Sequence, residues 1–506
     1  MDLNLDINRG KKDIIGMAFF ALAFIIFFYM IITPLDQLIL HIDEYFTLTL
    51  VNFPVSDIIS ITSMDVHPPL YYLILKFAVK VLGFIGISSN NLYAVRLVSI
   101  LPYALILVIS YLKIKDEYGW LTAGLFALSI GLMSEFFTHF LIARMYSWAI
   151  LFLLIAFIYT RDIFTKGDIK SWAIVTVASV LCAYTHYFAA MSAACLYLII
   201  IFYVVTKKKD QIKNLGISIA AAVIMYSPWI MTLINQVTAV HNSYWIPEVD
   251  FDLTVQSLGY FAHGADSFIA VVAILLMAVI GYLYVKQLKE KYTMDNFYIL
   301  TGLGVYVGTI LLAIIISVAF KPILVVRYLM PAAAVFWLAV SILIGKIEDK
   351  KTFMYAFALI ALLLVAGAGH MISTNITAYD EGIAKEDAFN QIMQNSNSAL
   401  VLTKPNTIMY FLDYSDRIDT YCFNHSYVFG ENMDRVHKIF DFNDISEDNL
   451  TSFVANDTKD VYIITWGDLD LDSSINKTKI WDDRGIEISK LTATEPVSEE
   501  TEEEYY

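Results

Sequence analysis

The sequence predicts a polytopic α-helical membrane protein of about eleven transmembrane helices, with an amphipathic juxtamembrane helix on its outer face and a small C-terminal soluble α/β domain. Three observations carry this. Of the 506 residues 58% are hydrophobic and the mean hydropathy is +0.61, against about 45–50% apolar residues in an ordinary soluble chain. The excess comes in blocks close to the ~20 residues that cross a bilayer. The basic residues between the blocks fall on one side of the alternation they imply.

The apolar blocks are 14–33, 92–112, 118–134, 145–160, 172–186, 188–205, 215–234, 265–285, 297–319, 329–345 and 352–371. The first follows Arg9-Gly10-Lys11-Lys12, which resembles a signal-peptide n-region. It is too long for an h-region and no A-x-A-like site follows, so it reads as an uncleaved first span. A twelfth stretch, His67–Gly83, decides the topology. With the N-terminus cytoplasmic and 67–83 not crossing, Lys113/Lys115, Arg161/Lys166/Lys170, Lys207/Lys208/Lys209, Lys286/Lys289/Lys291 and Lys346/Lys350/Lys351 all lie inside. If 67–83 crossed, these loops would alternate. Leu70, Leu73, Ile74, Phe77 and Val81 form one stripe, with Tyr72, Lys76 and Lys80 on another, the pattern of an in-plane helix. A short buried span with snorkelling lysines is the alternative.

Residues 1–371 therefore form the transmembrane domain, in the plasma membrane. Residues 372–490 read as an extracytoplasmic α/β domain, with strands at Ala399–Thr403, Ile418–Phe423 and Val461–Trp466. Five N-x-S/T triplets, at Asn375, Asn424, Asn449, Asn456 and Asn476, fall there. Much of the net charge of −15 gathers in this last third, and residues 491–506 read as a solvated acidic tail. Cys182, Cys195 and Cys422 build no disulfide framework and no metal site. No nucleic-acid partner is expected.

The chemistry-bearing residues concentrate outside. Asp36, Asp43-Glu44, Asp57 and Asp65 follow the first span. Paired carboxylates beside a membrane suit a general base or a cation ligand, because burial raises a carboxyl pKa. A solvated acidic loop is the plainer reading, and whether a divalent cation binds there stays open. In Met64-Asp65-Val66-His67-Pro68-Pro69 the prolines mark a helix start. His67 there suits either capping or contact with an anion. Lys76, Lys80, Arg96, Arg144, Lys321 and Arg327 also fall outside, against the topological bias. Arg96, Arg144 and Arg327 each end a span, where an arginine serves as a snorkelling anchor or as one of several cations around an anionic headgroup. Glu135 and His139 lie in the loop leading to Arg144, and His186 in the turn Tyr184-Thr185-His186-Tyr187.

These residues carry a resemblance. Asp43-Glu44, then HPPLYY from His67, ARMYS over Ala143–Ser147, THYF over Thr185–Phe188, Ser243-Tyr244-Trp245-Ile246-Pro247 and Arg327-Tyr328-Leu329-Met330-Pro331 together resemble the GT-C glycosyltransferases. Glycosyltransferase family 39 is the nearest group, with the protein O-mannosyltransferases and the lipid A aminoarabinose transferase as relatives. The resemblance covers about residues 14–345. It implies transfer of a sugar from a polyprenyl-phosphate carrier to an extracytoplasmic lipid, protein or polymer acceptor in the cell envelope, with inversion. Asp43 matches the family's catalytic aspartate and Glu44 its partner. His67 stands where the aminoarabinose transferase has a lysine, which implies a phosphate contact. Many members have Gln-Glu-Ala-Arg where this chain has Leu141-Ile142-Ala143-Arg144, so the loop acid is missing at 142, with Glu135 as its candidate replacement.

The residues support this chemistry independently. An acceptor hydroxyl needs a base, for which Asp43 is the choice. The departing phosphate gains charge that His67, Arg144 and Arg327 can stabilise. Lys76, Arg96, Glu135, His139, His186 and Tyr328 are secondary candidates. No redox cofactor is required and no Gly-rich phosphate loop is visible. A transporter or lipid flippase is the rival, but it would place ionisable groups at mid-span and break its helices there.

Overall fold

The computed structural model describes residues 9–38, 42–87, 91–242, 246–262, 267–287, 293–394, 397–403, 419–423, 443–456, 459–466, 469, 471–483 and 486–494. Its helices are α1 (Arg9–Ile32), α2 (Ile42–Asn52), α3 (Val55–Met64), α4 (Leu70–Gly83) and α5 (Leu92–Ile109), which runs through a π turn (Ser110–Ile114) into α6 (Lys115–Tyr118). Then follow α7 (Trp120–Leu132), α8 (Ser134–Leu141), α9 (Tyr146–Thr165), α10 (Ile169–Thr185), α11 (Tyr187–Lys207), α12 (Ile212–Asn242) and α13 (Phe251–Gly259). The last helices of the bundle are α14 (Ser267–Gln287), α15 (Met294–Ala319), α16 (Met330–Lys346) and α17 (Lys350–Met393). Two compact units result: residues 1–36 with 55–376, and residues 37–54 with 377–506.

Among the described residues nine helices are long and apolar enough to cross a membrane. The pair α7 and α8, bent by 70°, makes a tenth, and α10 is a shorter apolar helix of 17 residues, within the span range of about 17–25. The chain is a multi-pass membrane protein by length and hydropathy, as the periodic blocks implied. The helices differ in what they face. Nearly all of α16 is buried, Met330 to Ile344, so an element apolar all round sits inside the bundle. Ile25, Phe28 and Ile32 of α1 and Ile224, Met231 and Val237 of α12 are exposed, as lipid-facing residues are. α1 meets α7 backbone to backbone: a Cβ on Gly124 would lie 2.0 Å from the Gly16 carbonyl oxygen. Small residues permit this approach, the means by which membrane helices gain packing energy.

One local expectation is corrected. The stretch with Glu135 and His139 is a helix, α8, because Met133 turns extended and the chain restarts at 134. In α4 the buried face is Tyr71, Tyr72, Leu75 and Val79, while Phe77 and Val81 of the apolar stripe are exposed. The aromatic side of α4 packs inward, and 14 residues are too few for a span.

The basic loops meet at one end of the bundle. Lys113 donates to Asp162 at 2.6 Å, Arg161 to Asp295 at 2.9 Å, and Lys346 also pairs with Asp295. Lys12 donates to the carbonyls of Gly345 and Ile347, at 3.0 and 2.5 Å. Helix ends that the positive-inside count placed together thus share one face. Topology with 67–83 uncrossed predicts that cysteines replacing Lys115, Gly167, Lys208, Lys289 or Glu348 resist an impermeant thiol reagent in intact cells. Labelling at position 208 or 289 from outside would reverse the outer face; the native cysteines, all buried, give little background.

The second unit holds a six-stranded sheet in the order β3-β2-β1-β4-β6-β5. Its strands are β1 (Ser398–Leu402), β2 (Asp419–Phe423), β3 (Asn443–Ile445), β4 (Asp460–Trp466), β5 (Ile475–Asp483) and β6 (Ile486–Ala493). β1 pairs in parallel with β2 and β4, and its five residues are all buried, as expected of a central parallel strand. A helix α18 (Glu447–Asn456) covers the sheet through Leu450 and Val454 against Val401, Val461 and Ile463. The antiparallel pair β5–β6 escaped the sequence reading because charged residues alternate through Lys477, Lys479, Glu487 and Lys490. Residues 495–506, Asn424 and Ser243-Tyr244-Trp245 lie outside the described residues.

Candidate functional site

Four connections at the end of the first unit opposite those ion pairs each present a polar side chain. After α3 the chain turns through Asp65-Val66-His67, and Pro68-Pro69 prevent the helix from continuing until Leu73 N–H reaches the Pro69 carbonyl at 3.1 Å. Between α8 and α9, Ile142 is extended and Arg144 N–H bonds the Ile142 carbonyl at 2.8 Å, a tight turn that carries the Arg144 side chain inward. Between α10 and α11, His186 is extended and its Nδ1 accepts the Phe188 N–H at 3.2 Å, capping α11. Before α16 a 3-10 turn, Val326–Leu329, places Arg327 and Tyr328.

These side chains converge. Arg144, only 2% exposed, donates from Nη1 to the Tyr72 hydroxyl at 3.2 Å and from Nη2 to His67 Nε2 at 3.3 Å. His67 Nδ1–H in turn donates to Asp65 Oδ2 at 2.8 Å. Arg327 Nε donates to the Tyr146 hydroxyl at 3.3 Å, and its guanidinium lies 5.5 Å from the Tyr328 ring. Tyr146 stacks on His139, His186 and Tyr328, with centroids at 4.7, 5.5 and 6.4 Å.

The electrostatics follow from this crowding of cations. Burial, and after it the charges of His67, Arg144 and Arg327, push His186 well below the usual imidazole value. His186 is therefore neutral; with Nδ1 engaged as an acceptor, its proton sits on Nε2. For Asp65 burial works upward, but the His67 ring beside it, its hydrogen bond, the Val66 N–H and the Arg144 charge prevail and hold the carboxyl below the ordinary range. The Tyr260 hydroxyl, in the turn after α13, is buried near Glu135, Tyr146 and Arg327 without a hydrogen-bond partner, and burial pushes it well above the ordinary phenol value.

His67, His186 and Tyr328 of this cluster line a cavity of about 400 Å³. His67, His186, Lys321 and Gln236 supply its polar groups; Phe188, Met191, Leu233, Ile316, Phe320 and Ile323 make the rest apolar. One wall is hydrogen-bonded: Trp229 Nε1 donates to the Tyr187 hydroxyl at 3.1 Å, Tyr187 donates to Gln236 Oε1, and Gln236 Nε2 reaches the Thr62 carbonyl at 2.8 Å. Trp229 also lines a second cavity, of about 530 Å³, with Ser56, Ser60, Ser63 and Thr232.

Of the residues singled out from sequence, the structure brings His67, Arg144, His186, Arg327 and Tyr328 together, with His139 against Tyr146. His139 Nδ1–H donates to the Glu135 carbonyl at 2.7 Å, and the Glu135 carboxylate is 3.8 Å away. Arg96 is not in the cluster by any bond described: fully buried in α5, it donates to the Leu35 carbonyl and fastens the chain after α1. Lys76 is half-buried on α4. Asp43 and Glu44 occupy the first turn of α2, in the second unit, with Glu44 fully buried. Sequence reasoning missed Tyr72, Tyr146, Tyr187 and Gln236 as site residues, although Tyr72 and Tyr146 lie inside HPPLYY and ARMYS. Asp65 had been seen only as one acid among several. Among the described residues no three His, Cys, Asp or Glu side chains are gathered as metal ligands.

No protein-family model matches this chain, and no curated protein matches it. Solved structures do. ArnT from Cupriavidus metallidurans in the apo state aligns with a TM-score of 0.56 at 10% identity, covering 94% of this chain and 97% of that one. ArnT from the same organism bound to undecaprenyl phosphate aligns with a TM-score of 0.55 at 11% identity, again covering 94% and 97%. Identities this low speak for fold: the chain has the ArnT-like GT-C fold, the one its motifs resembled.

Proposed function

We propose that the protein is a membrane glycosyltransferase that moves a sugar from a polyprenyl-phosphate carrier to an extracytoplasmic acceptor. One observation carries the reading: His67, which Arg144 bonds, and His186, near which both Arg144 and Arg327 lie, line a largely apolar cavity. An anionic headgroup with a hydrocarbon chain matches both halves. Guanidinium and imidazole N–H groups are the donors that phosphate oxygens accept in charge-assisted bonds. The undecaprenyl phosphate bound by ArnT is a ligand of the same chemistry.

The reaction then runs as an inverting displacement. The acceptor hydroxyl attacks the anomeric carbon, and its proton passes to the Asp43 carboxylate, with Glu44 as partner. The bond from that carbon to the phosphate oxygen breaks, and its electron pair leaves on the carrier, which gains one negative charge. Arg144, Arg327 and His67 stabilise that charge, and His186 Nε2–H adds a neutral donor. The deciding assay incubates purified protein with a panel of polyprenyl-phosphate sugars and scores sugar transfer to lipid, protein and polymer acceptors. Transfer from at least one donor is the expected result. Movement of carrier across vesicle membranes without any transfer would instead establish the flippase reading.

A further inference from the structure

The contact between Arg144 and His67 fixes a protonation pattern. A guanidinium has only N–H donors, so at 3.3 Å from Arg144 Nη2 the His67 Nε2 must act as acceptor. Its proton is then on Nδ1, which Asp65 holds at 2.8 Å, both side chains being 16% exposed. In this arrangement the His67 lone pair points at Arg144, and the guanidinium N–H stands where a proton on Nε2 would otherwise point. Around this pair the other charged groups come from several elements: Asp65 on the His67 Nδ1 side, Arg144 from the α8–α9 turn, Arg327 near His186 from the turn before α16, and Lys321 beyond α15 in the cavity lining. His186 of the α10–α11 turn is neutral, and Tyr72 of α4, Tyr187 of α11 and Tyr328 bring hydroxyls.

An incoming phosphate changes the partner. Its oxygens take the Arg144 N–H groups, and the Nε2 lone pair is left facing an anion. Resting on the carrier-phosphate reading, we propose that Asp65 is a positioning residue that makes donor binding proton-linked. By holding Nδ1–H it presents Nε2 to the phosphate and supports the imidazolium formed when that nitrogen takes one proton from solvent. The arriving anion supplies the charge that offsets Arg144 and Arg327, and Asp65, itself ionised, supplies the second partner. Proton uptake on binding means that affinity is greatest at low pH and falls as pH rises, by about tenfold per unit at the limit.

The probe is the methyl diester of a polyprenyl phosphate, whose single negative charge does not titrate near neutrality, so any pH dependence belongs to the protein. Binding to the full-length protein in nanodiscs is measured at pH 6.5 and 8.5. The wild type should weaken about tenfold or more between the two. Asp65→Asn should bind roughly tenfold more weakly at pH 6.5 and change by less than about threefold across the range. His67→Lys, which carries a fixed cation, should bind with a flat profile and keep that profile when combined with Asp65→Asn, and it decides the matter if Asp65→Asn alone fails to fold. An Asp65→Asn protein with the wild-type pH slope, or a His67→Lys protein that retains the slope, overturns the proposal. Arg144→Ala separates this failure from failure of the underlying reading: unaltered probe affinity in that variant removes the phosphate site itself, and the role of Asp65 with it.

Discussion

Replacing Asp43 by asparagine is expected to lower sugar transfer by about 10²–10⁴-fold, the usual contribution of a general base, while the protein still inserts and folds. The change keeps size and one carbonyl oxygen and removes only the capacity to take a proton. Asp43 sits half-buried on the first turn of α2, where a helix N-terminus favours a carboxylate. The near-isosteric amide costs little in fold. Glu44 is fully buried one residue on, so Glu44→Gln should impair activity less through chemistry and more through stability. The measurement is turnover of the purified variants at saturating donor, beside their thermal midpoints. An Asp43→Asn enzyme with near wild-type turnover would transfer the base to Glu44 or return the protein to the flippase class.

The bundle was legible because hydropathy blocks and positive-inside counting both act at the scale of whole helices. What they could not see was direction within a segment. In α4 the apolar stripe was legible but the tyrosine side that packs inward was not: Tyr72 meets Arg144, while Phe77 and Val81 stay exposed. The block ending near residue 134 hid a 70° bend between α7 and α8. Arginines at span ends could be counted from sequence, but anchors could not be told from ligands. Arg96 proved to hold a backbone carbonyl and Arg144 a histidine and a tyrosine. His186 carried no local signal beyond its turn, and its place beside His67, Arg144 and Arg327 comes from four connections meeting in space. Long-range convergence of that kind has no periodicity to read.

Arg144→Ala is expected to weaken use of the polyprenyl-phosphate donor by roughly ten- to a hundredfold, the equivalent of one charge-assisted hydrogen bond of about 1.5–3 kcal/mol. The loss should fall on donor affinity and on kcat/KM more than on folding, because the guanidinium bonds Tyr72 and His67, and His67 lines the cavity. Arg144→Lys keeps the charge but loses the fork, and should recover only part of the loss. Arg327→Ala should act in the same direction and more weakly, since Arg327 is half-buried and bonds a hydroxyl. The pair distinguishes a binding site from a membrane anchor. Arginines that only snorkel are independent of each other and of the donor, so their loss would lower the thermal midpoint and leave donor affinity untouched. Residues sharing one phosphate are coupled: once Arg144 is gone, removal of Arg327 should cost less than it does in the wild type, and a double-mutant cycle on donor affinity should deviate from additivity by more than about 0.5 kcal/mol. A strictly additive cycle would mean that the two arginines do not meet on a common anion, and the shared phosphate site would fall with it.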